Sequence, residues 1–297
     1  MTEDPSAFRD DTIKLPPLNG VGGPDVWYTK NHHYDTCVSE ARMVTYLGIM
    51  KRQIPGAGYY ATYRTFPADW DWQELIPTGA TRTHLGVEVY EGVYNYGGQK
   101  VVPGWGGSMF EELMPDLFVP EERWAPKAWG RNHPGHVKAQ IFHGLKEAKY
   151  GYWGFSPSSN PEGGYREYGV DALGLKPDGY FSDTENTDYV RDNPPTSYGD
   201  GVVTPHASFL ALPHAPAAAV DNLRKLERNF DSYGKGGFYD AIAVRSGKVA
   251  KVYLSLDQAM VMGALGNVLG GDVLRDAFAI GDAQRIRKVI APEVFGG

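Results

Sequence analysis

The sequence predicts a mainly helical domain with long aromatic loops and a few short strands. Three observations carry that expectation. Apolar residues recur at helical spacing in several separate stretches, most clearly in the C-terminal half. Between them lie segments rich in Gly and Pro that hold neither a helical nor a strand period. Aromatic residues make up 13% of the 297 positions, with 19 Tyr and 7 Trp beside 37 Gly and 21 Pro.

Residues 1–30, rich in Pro, Gly and Asp, read as a loose arm, and residues 31–297 as one domain. The first helix is predicted from about Tyr34 to Gln53, with Cys37, Ala41, Val44 and Gly48 on one face and Met43 and Leu47 widening it. Pro55 and Gly56 end it. Residues 57–104 read as loop and short strand, VEVYEGVYNY with GGQKVVPGW forming a hairpin. A short helix is expected at MFEELM (109–114), stopped by Pro115, and another at 134–148. Residues 151–180 follow as a structured loop with seven glycines and many rings. Beyond a polar insert at 182–201, helices are predicted at 205–212, 216–230, 256–269, 272–280 and 282–290. The fourth-last of these carries Val220, Leu223, Leu226 and Phe230 on one face. The helix at 256–269 carries Met260, Val261, Ala264, Leu265, Val268 and Leu269. Ser255 and Gln258 have capping-box spacing, and Asp257 falls in the first turn, where the helix dipole favours a carboxylate.

Net charge is −7, and no basic stripe exists, so a nucleic-acid partner is not expected. The most basic run, Arg224 to Arg228, reads as the wet face of a helix. No apolar run reaches the ~18–20 residues of a membrane span. The start, MTEDPSAFRDD, is not a signal peptide, so the chain as written is expected in the cytoplasm, or exported if the natural start lies upstream. One cysteine, Cys37, excludes an intrachain disulfide and reads as a small core residue. There is no GxSxG, phosphate loop or HExxH. Only His32 and His33 are adjacent among the histidines, so neither a metal nor a cofactor is expected. Calcium in SDTENTDYVRD (182–192) competes with the plainer reading of a solvated acidic loop.

The carboxylates are the more informative residues. Stepping about 100° per residue from Cys37 puts Glu40 about 60° away, on the edge of the apolar stripe, and Arg42 about 140° away, facing outward. A carboxylate leaning into a core is costly unless paired or functional, and burial raises its pKa as a general acid requires. A buried Arg partner or a backbone cap would be the structural account. In GWGGSMFEELMP (104–115), Glu111 sits among Phe110, Leu113 and Met114, with Glu112 expected to face water. GGYREYG embeds Glu167 among Tyr165, Arg166 and Tyr168, or else forms an Arg–Glu brace on a tight turn. Paired carboxylates flanked by rings are the arrangement of glycoside hydrolysis. Asp257 at a helix mouth and Asp240 after a glycine-rich turn are weaker cases.

Six segments, in order, resemble a known family. They are YDTCVSEAR (34–42), GWGGSMFEELMP, the stretch 150–180, VTPHASFLAL (203–212), GKGGFYDAI (234–242) and SLDQAMVMGALGN (255–267). The family is the bacterial glucoamylase-like glycoside hydrolase domains, related to endo-β-1,2-glucanases and to the cyclising domain of cyclic β-1,2-glucan synthases. The resemblance implies an (α/α)6-type toroid with its cleft at one end. It implies Glu40 as the acid or its neighbour, with Glu111 lining the cleft; Glu111 and Glu167 are candidates for base or water positioning. Tyr34, Asp35, Trp105, Trp153, Tyr165, Arg166, His206, Asp240 and Asp257 become candidates for the cleft, whose wall would be the rings of 150–180.

Two departures from the family pattern matter. Pro157 stands where the cyclising relatives carry a Glu that looks like the nucleophile, which favours an inverting route through water. About 33 residues precede Tyr34, where relatives carry several helices, so the toroid is expected to be incomplete at its N-terminus or closed by a second chain. The resulting expectation is a glycoside hydrolase cleaving a β-linked glucan, foremost β-1,2-glucan. The alternatives are an inactive carbohydrate-binding or assembly subunit and a transglycosylase.

Overall fold

The computed structural model describes residues 36–69, 73–175, 198–279 and 281–296, with the backbone of two short strands at 12–14 and 27–29. Two units divide the chain, Met1–Asp35 and Thr36–Gly297. In the first, β1 (Thr12–Lys14) and β2 (Trp27–Thr29) pair antiparallel, with Thr12 opposite Thr29.

The second unit is mostly helical. It begins with α1 (Arg42–Met50) and α2 (Ala57–Tyr60), then two antiparallel hairpins, β3 (Thr81–His84) with β4 (Val87–Tyr90) and β5 (Tyr94–Tyr96) with β6 (Gln99–Val101). Next come α3 (Met109–Leu113), α4 (Glu121–Trp124) and α5 (Trp129–Phe142), which runs on into a wider turn at His143–Glu147. β7 (Ser158–Ser159) and β8 (Tyr165–Arg166) form a small ribbon. After β9 (Val202–Val203) come α6 (Pro205–Leu210), α7 (Pro216–Asn229), β10 (Tyr233–Gly234), β11 (Gly237–Phe238), β12 (Ala241–Ala243) and β13 (Lys248–Ala250). β12 lies between β13 and β9, all antiparallel, with Ile242 opposite Val203. The chain closes with α8 (Ser255–Gly270), α9 (Val273–Phe278) and α10 (Gln284–Ile290). Among the described residues, no helix is long and apolar enough to cross a membrane.

Two apolar cores hold this unit. One gathers Met109, Leu113, Trp153, Phe155, Leu173, Leu210, Leu226 and Met260 from α3, α6, α7, α8 and the loop after α5. The other gathers Tyr46, Ile49, Tyr59, Trp129, Ile286 and Ile290 from α1, α2, α5 and α10. Full burial of a side chain such as Leu226, at 0% exposure, contributes roughly 1.5–3 kcal/mol.

Several helices depart from the pattern read in the sequence. α1 starts at Arg42, eight residues after the expected point, and residues 36–41 are bridge and turn. The angular phase taken from Cys37 therefore does not apply. Arg42, expected outside, is buried, while Val44 and Leu47, expected inside, are 69% and 39% exposed. α5 begins at Trp129 and takes Pro134 into its body; the burial of Trp129 and His133 draws the helix back past the proline. α8 has no side-chain cap, so the Ser255–Gln258 capping box does not form. Its Val268 and Leu269, expected in the apolar face, are 46% and 80% exposed. From 258 to 271 the chain carries no charged residue, so the outer side of α8, including Met262, is an exposed apolar face.

The segments nearest the expected chemistry are joined by backbone. Val38 bridges Gly104, and Gly174 bridges both Gly104 and Gly106. Val170 N–H donates to Gly107 O at 3.1 Å. Gly107 has φ +65°, and a Cβ there would lie 2.1 Å from Val170 O; only glycine allows this contact. Residues 36–41, 104–111 and 167–175 are thereby drawn to one place.

Candidate active site

Glu40 lies in the turn ahead of α1, half-buried. Ser39 Oγ accepts from Ala41 N–H at 3.1 Å and donates to Glu40 Oε2 at 3.2 Å. This turn, and not a helix face, sets the direction of the carboxylate.

Glu111 stands on the first turn of α3, where Ser108 Oγ caps its N–H at 3.2 Å. Phe110 N–H donates to Ser156 Oγ at 3.0 Å. Gln140 of α5 staples the glycine approach to the aromatic loop, donating to Gly107 O at 3.1 Å and Phe155 O at 2.8 Å. Gly104 passes so close that a Cβ on it would meet Glu111 Oε2 at 2.7 Å. Burial first, then the nearby charge of Glu40 and, more weakly, that of Glu167, push the Glu111 carboxyl up to about 8. The Gly106 N–H and the Ser108 side chain oppose the rise only in part. Glu111 Oε2 is buried with no hydrogen-bond partner among the described residues. A carboxyl kept protonated near neutral pH beside a second carboxyl is a proton donor in search of an acceptor.

A second cluster forms from His206 in the first turn of α6, Asp240 before β12, and Asp257 in the first turn of α8. All are buried. His206 Nδ1 lies 2.9 Å from Asp257 Oδ2 and 2.8 Å from Thr204 Oγ1. Asp240 Oδ2 accepts from Ser159 N–H at 2.7 Å. Burial and the Asp257 charge raise the Asp240 pKa. Among the described residues, Asp240 Oδ1, His206 Nε2 and Asp257 Oδ2 have no hydrogen-bond partner. They line a cavity of ≈ 260 Å³ with Phe209, Phe238 and Tyr239.

Tyr165 links the two clusters. It sits on β8 opposite Ser159 and is 48% exposed. Burial of part of its ring raises its phenol, and the charges of Asp257, Glu167, Asp240 and Glu40 raise it further. One hydroxyl is thus within electrostatic reach of both carboxylate groups.

The remaining expected residues divide. Glu167 is half-buried and acts on both Glu111 and Tyr165. Trp105 is half-buried, its ring edge-on to Phe66 at 6.2 Å. Arg166 is exposed on β8 opposite Ser158. Trp153 is not a cleft residue: it is 2% exposed and packs in the core, its backbone carbonyl accepting from Asn222 at 2.8 Å. Tyr150, Phe155 and Tyr168 are buried as well, so this loop supplies core more than cleft wall. Tyr34 and Asp35, and the acidic run 182–192, lie outside the described residues.

Glu112, expected to face water, is fully buried. It accepts from Asn132 Nδ2 at 2.9 Å and pairs with His133 Nδ1 at 2.6 Å. Burial opposes its ionisation, but the hydrogen bond and charge of His133 prevail and lower its pKa. Behind it, Arg42 pairs with Glu121 at 2.8 and 2.9 Å. Asp116, Glu121 and His133 bring one ligand atom each within 4.8 Å of one another, a spacing a cation could use. Glu121 and one oxygen of Asp116 are already engaged: Arg42 holds Glu121, and Arg275 Nη2 and His214 Nε2 reach Asp116 Oδ2 at 2.7 and 3.1 Å, while Asp116 Oδ1 and His133 Nε2 have no hydrogen-bond partner among the described residues. The group is an ion-pair network. Sequence reasoning missed it because its members lie on α1, α3, α4, α5 and α9, with no local spacing in common.

A family model described as "Putative glucoamylase" matches residues 32–279. The cyclic β-(1,2)-glucan synthase NdvB of Rhizobium meliloti is 27% identical over 260 residues, covering 82% of this chain and 7% of that protein. The β-1,2-glucanase of Parabacteroides distasonis superposes with a TM-score of 0.61 at 19% identity, covering 91% of this chain and 37% of its own. The endo-β-1,2-glucanase of Chitinophaga pinensis, solved with sophorotriose and glucose, superposes at 0.57 and 17% identity, covering 89% and 58%. This chain therefore shares their fold and spans less than two thirds of each of these relatives.

Proposed function

Because the chain belongs to the glucoamylase-like family, we propose that it is a glycoside hydrolase of β-linked glucans, with β-1,2-glucan as substrate and inversion at the anomeric carbon. The observation that carries this reading is Glu111, half-buried with its Oε2 enclosed, without a cation partner among the described residues, and with its pKa raised to about 8 beside Glu40. Glu111 protonates the leaving glycosidic oxygen. Glu40, the acid expected from the motif, becomes the neighbour whose charge keeps the proton on Glu111. The water-activating base comes from the other side of Tyr165, where Asp257 Oδ2 lies 2.9 Å from His206 Nδ1. Such a division suits inversion, which needs room for a water between acid and base. Pro157, at the position of the cyclising relatives' Glu, supports the same route.

The test is a product profile by mass spectrometry on a panel of linear glucans of different linkage, with anomers followed by NMR. Short β-1,2-linked oligosaccharides of inverted configuration are the expected products, absent with Glu111→Gln. Products that lengthen or cyclise without new reducing ends would make the protein a transglycosylase. Oligosaccharide binding without any product would make it a carbohydrate-binding subunit.

The (α/α)6 toroid belongs to the same proposal, with a second copy of the chain packed against it. The uncharged apolar face of α8, with Met262 at 69% and Leu269 at 80% exposure, supports it, because contiguous exposed apolar surface marks an interface. Light scattering should find self-association that Met262→Lys with Leu269→Lys abolishes. A wild-type monomer would sink this part alone.

A further inference from the structure

We infer that Arg42 is the positioning residue that fixes the Glu40 turn and Glu111 relative to each other, an inference that rests on the acid role proposed for Glu111. A guanidinium has five N–H donors in a rigid fork. Arg42 directs all five to acceptors. Nε and one Nη2 hydrogen go to the two oxygens of Glu121 at 2.8 and 2.9 Å. Nη1 donates to Ser39 O at 3.0 Å and to Glu111 O at 2.6 Å, and Nη2 also donates to Glu112 O. Ser39 precedes Glu40 and holds its carboxylate. One planar group therefore joins the backbone of both carboxyl-bearing segments, 69 residues apart in sequence.

The charge arrangement suits this task. A bare cation so close would stabilise ionised Glu111 and discharge the acid. Glu121, itself fully buried, neutralises Arg42 through a two-point pair, and Arg42 reaches the carbonyl of Glu111, not its carboxyl. The arginine positions Glu111 while its proton stays. The Trp129 ring, 4.4 Å from the guanidinium carbon, fixes the plane of the fork.

A second buried arginine gives a matched control. Arg64 pairs with Glu293 at 2.5 Å and is also fully buried. Its remaining hydrogen bonds go to Tyr59 O and to Thr62 O and Oγ1, within its own turn. A merely structural role for Arg42 predicts that both arginines behave alike.

The test compares Arg42→Lys with Arg64→Lys on β-1,2-glucan, and follows the Glu111 carboxyl by NMR in ¹³C-glutamate-labelled protein. Lysine keeps the charge and loses the fork. The expected result for Arg42→Lys is a kcat about 100-fold lower, the loss typical of a small misplacement of a reacting group. KM should stay within about two-fold of wild type, as for loss of a purely transition-state interaction, and the Glu111 titration should move. Arg64→Lys should leave kcat and that titration unchanged. Equal losses in both variants, or an Arg42→Lys whose Glu111 titrates as in wild type, would overturn the inference. Should Arg42→Lys fail to fold, Glu121→Gln exposes Glu111 to an unmasked Arg42 and must lower its titration midpoint; no movement overturns the inference. If wild type hydrolyses no glucan yet Arg42→Lys still moves the Glu111 titration, the proposed function falls and the positioning stands.

Discussion

Glu111 and Glu112 are adjacent on α3 and titrate in opposite directions. Glu112 turns into the helical core, where His133 and Asn132 meet both its oxygens. Glu111 turns towards the glycine approach, where Gly106 and Ser108 offer little, Glu40 adds like charge, and Oε2 has no partner. Burial opposes ionisation of both, so burial does not decide the outcome; the partners do. The fold satisfies one buried carboxylate completely and leaves one oxygen of its half-buried neighbour without a partner among the described residues, as a site that has work for the proton would require.

The largest expected effect comes from removing the unsatisfied member. Glu111→Gln should lower turnover about 10³-fold, within the range for a general acid, with thermal stability equal to or above wild type. Reducing-end release and a melting curve check both halves. Glu112→Ala should do the reverse, since it strips the counter-ion from a buried histidine. A stability loss of roughly 3–5 kcal/mol is expected, read from urea unfolding, with catalysis affected only through the folded fraction. Equal behaviour of the two variants would erase the distinction.

The same contrast governs pH. Glu111's pKa is raised to about 8. Its contribution to stability is fully present below the usual carboxylate pKa and is lost as pH rises through about 8. Glu112's is lowered, so its contribution is present above the usual carboxylate pKa and is lost as pH falls. Urea unfolding from pH 4 to 9 should thus show a loss that accrues from the usual carboxylate pKa up to about 8 and is absent from Glu111→Gln. Activity should fall at the upper end of that interval, around pH 8, as the acid loses its proton. Glu40→Gln should move that activity limb to lower pH, because it removes the like charge that supports protonation, and should also remove most turnover. A limb that stays in place would assign it to another group.

Much of the helical framework was legible because its signal is local. α6, α7 and α8 carry apolar residues at helical spacing and lie where the pattern puts them. Glu111 was visible as a carboxylate inside an apolar hexapeptide. What escaped was long-range. Nothing near Arg42 announces Glu121, 79 positions away, so an arginine read as solvent-facing is a fully bonded cation behind the site. Glu112 was assigned to water on the rule that adjacent helix residues diverge; they do diverge, but α3 is enclosed on both sides. The loop after α5 misled for a related reason. Its rings suggested a sugar platform, yet Trp153 and Phe155 fill the space between α3, α6 and α7, and Tyr165 is the exposed ring at its tip.

Tyr165 is where the smallest effect is expected. Its ring is half-open, and its hydroxyl senses carboxylates from both clusters without being buried by either. Tyr165→Phe keeps the apolar face that a sugar ring can stack on and removes one hydroxyl. If the hydroxyl only bridges solvent across the site, kcat/KM should fall about three- to ten-fold, the worth of one neutral hydrogen bond. Tyr165→Ala, which removes the face too, should lose more, and the extra loss should appear in KM. A Phe variant as damaged as the Ala variant would place the phenolic proton itself in the chemistry and join the two clusters into one proton path.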